Sequence, residues 1–194
     1  MIKDFHTHTP RPEAIVNYDP AVDLHPFAPG LLYSAGIHPW NAALADNESF
    51  VRLRELAFMP EVVAIGETGL DAAVDVDEAI QEELFKKHIE LARLTGKPLI
   101  IHCVRRYNEL MAIRRDSGAD VPWIIHGFRG KPQLAQSLAR QGFYISFGER
   151  FNPASFDTVP ASQRLIETDE SQLSIEEIAR AAGYPDLTAP PLQL

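Results

Sequence analysis

Val62-Val63-Ala64-Ile65-Gly66-Glu67-Thr68-Gly69-Leu70-Asp71 sets four apolar residues directly before a glycine and a glutamate. A continuous apolar run, with no polar alternation, reads as a strand covered on both faces, as in a parallel sheet flanked by helices. Its end on Glu67 needs a reason, because an unpaired carboxylate is costly to desolvate. The same arrangement recurs on either side. Upstream, Ile2–Phe5 leads into His6-Thr7-His8, and Leu31–Ile37 leads into His38 within Gly36-Ile37-His38-Pro39-Trp40. Downstream, Pro98–Ile101 leads into His102, Val121–Ile125 into His126, and Arg164–Ile166 into Glu167-Thr168-Asp169. The runs Ala14–Tyr18 and Phe143–Phe147 bring the count of candidate strands to eight.

Helical patterns lie between many of these runs. Asp46 is placed to cap a helix carrying Phe50, Leu53, Leu56 and Ala57 on one face. Ile80, Leu84, Phe85, Leu91 and Ala92 form the inner stripe of a longer helix that stops at Gly96. Leu110, Met111 and Ile113 mark a short helix before Gly118. Pro132 opens another that ends at Gly142. Ser174 and Glu177 form a capping box for a last one, ended by Gly183. Alternating strands and helices in this number predict a (β/α)8 TIM-type barrel spanning residues 1–194 as one domain. The chain has 194 residues, short for that fold, so one or two outer helices are expected to be missing. Asp19–Gly30 and the last ten or so residues are proline-containing and lack a helical stripe. A barrel face left bare there would be a dimer contact.

The separations support a single site. From His8 to His38, Glu67, His102 and His126 the steps are 30, 29, 35 and 24 residues, and the step on to Asp169 is 43 with one run between. Each is about one βα unit, or two in the last case. A closed parallel barrel gathers such positions on its carboxyl-end rim, where the active sites of this fold sit. His6 and His8 point the same way on a strand. A divalent metal explains why six strand ends carry His, Glu or Asp, and two metals flanking a carboxylate suit hydrolysis of phosphate esters. The expected ligands are His6, His8, Glu67, His102, His126 and Asp169. His88 and His25 read as structural, Cys103 as a small buried hydrophobe, and Asp71 and Glu149 as weaker ligand candidates near the same rim, read as loop groups or as supports behind the ligands.

Composition bounds the rest. With 45% hydrophobic and 23% charged residues, the chain is neither disordered nor a coiled coil. No apolar run approaches the ~20 residues of a membrane span. The start MIKDFHTHTP has no signal-peptide core, and one cysteine allows no internal disulfide, so a cytoplasmic protein is expected. A net charge of -9 argues against electrostatic wrapping of duplex DNA. Arg105, Arg106, Arg129, Lys131 and Arg150 nonetheless follow strand ends, and their side chains suit phosphate oxygens. Arg105 and Arg129 are the candidate substrate contacts, with Trp40, Tyr107, Phe128 and Phe151 as candidate cleft aromatics.

The segments Asp4-Phe5-His6-Thr7-His8, Gly36-Ile37-His38-Pro39, Ile65-Gly66-Glu67-Thr68-Gly69-Leu70-Asp71, Lys97-Pro98-Leu99-Ile100-Ile101-His102, Ile125-His126-Gly127-Phe128 and Glu167-Thr168-Asp169 together resemble the TatD-type metal-dependent hydrolases, the TatD DNases, among the amidohydrolase-like barrels. The resemblance implies that His6, His8, Glu67 and Asp169 hold one metal, and that Glu67, His102 and His126 hold a second. It implies that Asp169 positions and deprotonates the attacking water and that His38 lies on the substrate side, giving Asp169, Glu67 and His38 as the catalytic set. After Asp169 the family's Ser-Pro continuation is replaced by Glu170-Ser171-Gln172-Leu173. The expected function is a TatD-like deoxyribonuclease or phosphodiesterase with two divalent ions, zinc first and manganese or magnesium as alternatives. Its substrate would be a phosphate ester such as DNA. A PHP-type phosphoesterase and a non-catalytic metal-binding barrel are the competing readings.

Overall fold

A computed structural model describes residues 1–184, 186–187 and 190–192. Eight strands run in order: β1 (Asp4–Thr7), β2 (Ala14–Tyr18), β3 (Leu32–Ala35), β4 (Val62–Asp71), β5 (Leu99–Val104), β6 (Trp123–Ile125), β7 (Tyr144–Phe147) and β8 (Arg164–Ile166). Each pairs in parallel with the next. One parallel bridge, Thr7 with Asp169, joins the last strand's end to the first. There the His8 amide donates to the Asp169 carbonyl (3.2 Å) and the Asp169 amide to the His6 carbonyl (2.9 Å). The barrel is thus nearly closed, and its seam is fastened at the carboxyl end.

The period-two rule explains what fills the interior. Ile15, Ala64, Ile100, Ile124 and Leu165 form one buried cluster. Two residues further on, β2 presents Asn17, β5 His102, the end of β6 His126, and the end of β8 Glu167 and then Asp169. A floor of aliphatic side chains therefore carries a roof of ligand-type residues. β4 departs from the rhythm. Its register against β5 shifts between Ile65 and Thr68, which returns Glu67 to the inside three residues after Ala64. The barrel is tight here: a Cβ added to Gly36 would lie 2.5 Å from Gly66 Cα.

Six helices follow: α1 (Asn47–Ala57), α2 (Glu78–Thr95), α3 (Tyr107–Ser117), α4 (Pro132–Arg140), α5 (Pro153–Thr158) and α6 (Ile175–Ala182). Asp46 caps α1 by accepting from the Ser49 amide at 2.8 Å. Gly96 and Gly183 end α2 and α6 in left-handed conformation, and Ser174 with Glu177 forms the capping box. Leu84, Phe85, Leu91 and Ala92 of α2 are buried as the stripe requires, but Ile80 is 44% exposed. The first turn of α2 instead turns Gln81 inward, where its side chain bonds the Asp71 amide (2.7 Å) and carbonyl (3.0 Å).

Residues 19–30 form no helix, as expected. A further helix-free connection lies where none was expected. Residues 8–13 link β1 to β2 directly, while α5, which the sequence pattern did not reveal, occupies the β7–β8 connection together with a short 3-10 turn. The described residues after α6 form neither helix nor strand, and the rest of that expected gap lies outside the described residues. The trimming therefore falls on the first two βα units. The sector is not bare, because the 19–30 loop folds over it. Phe27 stacks on Tyr33 with centroids 4.1 Å apart, and the Tyr18 hydroxyl lies 2.9 Å from the His25 carbonyl. Every residue of β1–β3 is buried or half-buried, so the exposed strand face that would argue for a dimer is absent among the described residues. No helix among them is long and apolar enough to cross a membrane.

Candidate metal centre

Glu67 is the hub of the site. Its side chain is 3% exposed, and its two oxygens face different groups. Oε2 lies 3.3 Å from His6 Nε2 and 3.7 Å from His8 Nε2. Oε1 lies 2.7 Å from His126 Nε2, 3.0 Å from His38 Nε2 and 3.1 Å from His102 Nδ1. Asp169 Oδ1 closes the first side, 3.6 Å from His8 Nε2 and 3.9 Å from His6 Nε2. All six residues predicted as ligands converge here, and His38 joins them more intimately than a substrate-side position requires.

The electrostatics follow from this crowding. Burial pushes the Glu67 carboxyl upward, but the facing His126 and His6 and the bonds from His102 and His126 hold it well below the usual carboxylate range. Burial lowers His126, yet Glu67 and Glu167 raise it well above the usual imidazole range. Its bond to Glu67 raises His8.

The donor set also fits a metal. His6 is fully buried, and neither ring nitrogen has a hydrogen-bond partner among the described residues. Such an imidazole is unfavourable unless something bonds it. Three clusters could each hold an ion: His6, His8 and Glu67; His6, His126 and Asp169; and His38, Glu67 and His102.

A second layer of side chains fixes these ligands. His102 Nε2 lies 2.8 Å from Asp71 Oδ2, which also accepts from the Trp40 indole at 2.7 Å. Glu167 Oε1 accepts from the Gly127 amide at 2.6 Å and lies 3.3 Å from His126 Nδ1. Asn17 Oδ1 accepts from the Glu67 amide (3.0 Å). The Trp40 amide donates to His38 Nδ1 (3.1 Å), which leaves the neutral ring's proton on Nε2, toward Glu67. Asp4 takes the Thr168 amide (3.0 Å) and hydroxyl (2.6 Å), tying β8 to β1. Gly69 must be glycine, because it has φ +144 and a Cβ there would collide with the His102 carbonyl. Sequence reasoning missed Glu167 and Asn17 as supports. The signal was present in parity: Glu167 sits two residues before Asp169, and Asn17 two after Ile15.

Other candidates fall elsewhere. His88 is buried in α2 with Nε2 accepting from the Ile37 amide (2.9 Å) and Nδ1 2.8 Å from the Leu84 carbonyl. Burial pushes it down to about 4. His25 is exposed in its loop, and burial pushes the Cys103 thiol up to about 12. Glu149 bonds the Ser171 hydroxyl (2.7 Å). Arg106 does not belong to a basic rim: it is buried and paired with Glu82 (2.7 Å) and Glu78 (3.5 Å). Arg105 is exposed but lines neither cavity beside the ligands. Arg129 and Arg150 are exposed and line a cavity of about 460 Å³ that reaches Asp169 and Glu170. Phe128 is buried beneath the rim, and Tyr107 and Phe151 pack against the core, leaving Trp40 as the cleft aromatic.

The family model "TatD related DNase" matches residues 18–182. The chain belongs to the TatD family. Among TatD relatives, it is 34% identical over 151 residues to the "Uncharacterized metal-dependent hydrolase YabD" of Bacillus subtilis, covering 71% of this chain and 58% of that protein. It is 34% identical over 154 residues to the "3'-5' ssDNA/RNA exonuclease TatD" of Cronobacter turicensis, covering 74% and 59%. The chain thus spans less than two thirds of the length of these relatives. The TatD homologue YJJV of Escherichia coli shares the fold with a TM-score of 0.70 at 20% identity, over 87% of this chain and 82% of that one. A TatD family hydrolase of Entamoeba histolytica gives 0.65 at 22% identity, over 71% and 50%.

Proposed function

We propose that this chain is a two-metal hydrolase of phosphodiester bonds, a TatD-like deoxyribonuclease or phosphodiesterase. One observation carries the reading: the oxygens of Glu67 separate, Oε2 toward His6 and His8 and Oε1 toward His102 and His126. A buried carboxylate with imidazoles gathered on each oxygen has the form of a bridge between two divalent ions. His6, His8, Glu67 and Asp169 would hold one ion, and Glu67, His102 and His126 the other. Imidazole-rich ligation favours zinc, and the carboxylates also admit manganese. When bound, such ions act as Lewis acids and make water acidic enough to attack an ester near neutral pH.

The remaining work falls to the protein. Asp169, at the mouth of the seam, accepts the proton of the attacking water as general base. His38, held with its proton on Nε2 by the Trp40 amide, directs that N–H at Glu67 Oε1 (3.0 Å) and orients the carboxylate from the substrate side. Arg129 and Arg150 line the cavity that reaches Asp169 and would meet the anionic ester there. The exonuclease relative supports a nucleic acid strand as the substrate. The test is elemental analysis of the purified protein, followed by cleavage of a single-stranded oligodeoxynucleotide with and without added zinc or manganese. Metal-dependent cleavage that disappears in Asp169→Asn is expected. A metal-loaded protein that cleaves no phosphodiester would overturn the proposal.

A further inference from the structure

The cavity in front of Glu67 has a volume of about 340 Å³, and its lining is polar apart from two side chains, Trp40 and Val22. Both are exposed, Trp40 by 59% and Val22 by 52%. A large aromatic left this open on a folded protein forgoes the burial that normally places it inside. Trp40 is nevertheless held firmly. Its indole N–H donates to Asp71 at 2.7 Å, its ring meets His38 edge to face with centroids 5.0 Å apart, and His102 lies 6.1 Å away. It stands at the start of a 3-10 turn, Pro39–Leu44, that the Gly36–Pro39 segment feeds directly from β3. Its other tryptophan, Trp123, is fully buried, so exposure of Trp40 is particular to its place. A rigid, anchored, open ring beside two candidate metal-site imidazoles is suited to stack on a flat group of whatever enters the cavity.

We infer that Trp40 is the specificity-determining contact for a nucleobase adjoining the scissile phosphate, with Val22 lining the same cavity. The inference rests on the phosphodiesterase reading of the site and adds to it a recognition element for the base. Stacking of this kind accepts any base, because each presents a π face. The cavity would therefore favour nucleotide esters over sugar or alkyl phosphates without choosing a sequence.

The test compares thymidine 5′-monophosphate with deoxyribose 5-phosphate, which lacks the base, as ligands of the metal-loaded protein. Calorimetry gives the two affinities, and tryptophan emission reports contact at Trp40, since Trp123 is shielded. The wild type should bind the base-bearing ligand about tenfold or more tighter, with quenching of the exposed tryptophan. Trp40→Phe keeps a flat ring without the N–H and should retain most of that ratio. Trp40→Leu should bring it close to one, with an affinity for deoxyribose 5-phosphate equal to that of Trp40→Phe, which loses the same indole N–H. Equal losses in the Phe and Leu variants would instead trace the effect through Asp71 and His102 and overturn the stacking role. So would a Leu variant that discriminates like the wild type, or a wild type that does not discriminate. Oligonucleotide cleavage is the separate measure of the proposed reaction. Base-dependent binding without cleavage would remove the reaction and keep the stacking contact. Cleavage with unchanged discrimination in Trp40→Leu would do the reverse.

Discussion

Asp71 holds the far edge of His102, with its Oδ2 2.8 Å from Nε2 of the imidazole whose Nδ1 faces Glu67. Burial pushes the Asp71 carboxyl upward, but the bonds from Trp40, Ala73 and His102 hold it below the usual range. It therefore stays anionic and keeps the proton of His102 on Nε2, freeing Nδ1 as a ligand. Supporting carboxylates of this kind are worth about 10–100-fold in metal affinity. Asp71→Ala should lose that factor in competition with a chromogenic chelator. Unchanged affinity would show that His102 is oriented by packing alone.

Asp169 and Glu67 should separate base from bridge. Asp169→Asn keeps the side-chain shape and one carbonyl oxygen, so metal content should remain largely intact while kcat falls by at least ~10²-fold. Glu67→Gln loses the charge between the imidazole groups and should lower metal occupancy itself. Elemental analysis beside steady-state kinetics checks both. Near-normal turnover in Asp169→Asn would rule out its role as base.

Removing metal should destabilise the fold. The described structure leaves His6 buried with unpartnered nitrogens, and an ion binding only the folded state adds about 2.7 kcal/mol when present at a hundred times its Kd. For a chain of this size that is roughly 5–10 °C in Tm. Scanning calorimetry with chelator, and then with zinc restored, should show the drop and its recovery. A Tm indifferent to chelation would count against a metal linking β1 to the end of β8.

His88 predicts an acid-sensitive stability term. Its pKa is about 6.5 unfolded and about 4 folded, because burial disfavours the charged ring while the Ile37 amide uses Nε2 as an acceptor. The neutral form is the folded one. Its contribution is thus complete above pH 6.5 and is lost as pH falls toward 4. The wild-type advantage over His88→Asn in urea unfolding should shrink by about 3 kcal/mol between pH 7.5 and pH 4. A constant difference across that range would mean that His88 takes up its proton as readily in the folded protein as in the unfolded chain.

The barrel and its candidate ligands were legible because both obey simple periods. A strand buried on two faces must be continuously apolar, and the polar residue at its end then stands out, as Glu67, His102 and His126 do. Boundaries were less legible. β4 runs six residues past its apolar portion to Asp71 because that stretch carries Glu67 and Asp71 into the candidate metal site. The helix α5 was hidden because six residues carry too little periodicity to show a stripe. Arg106 looked like its neighbour Arg105 on paper. Only the packing of α2 shows that Glu78 and Glu82 claim it. The trimmed units were partly misplaced because a short return such as 8–13 has no composition of its own.

The seam between β1 and β8 places Thr7 against Asp169, residues 162 positions apart. A nascent chain leaving the ribosome exposes His6 and His8 first and Asp169 only after nearly all the intervening strands. The proposed pocket of His6, His8, Glu67 and Asp169 therefore cannot exist as a finished cage during most of synthesis. Metallation becomes a late event that follows the meeting of distant ends, and long-range closures of that kind are slow to form. An ion captured early by the exposed HxH pair alone would sit in a partial cage, open to exchange until the barrel shuts around it.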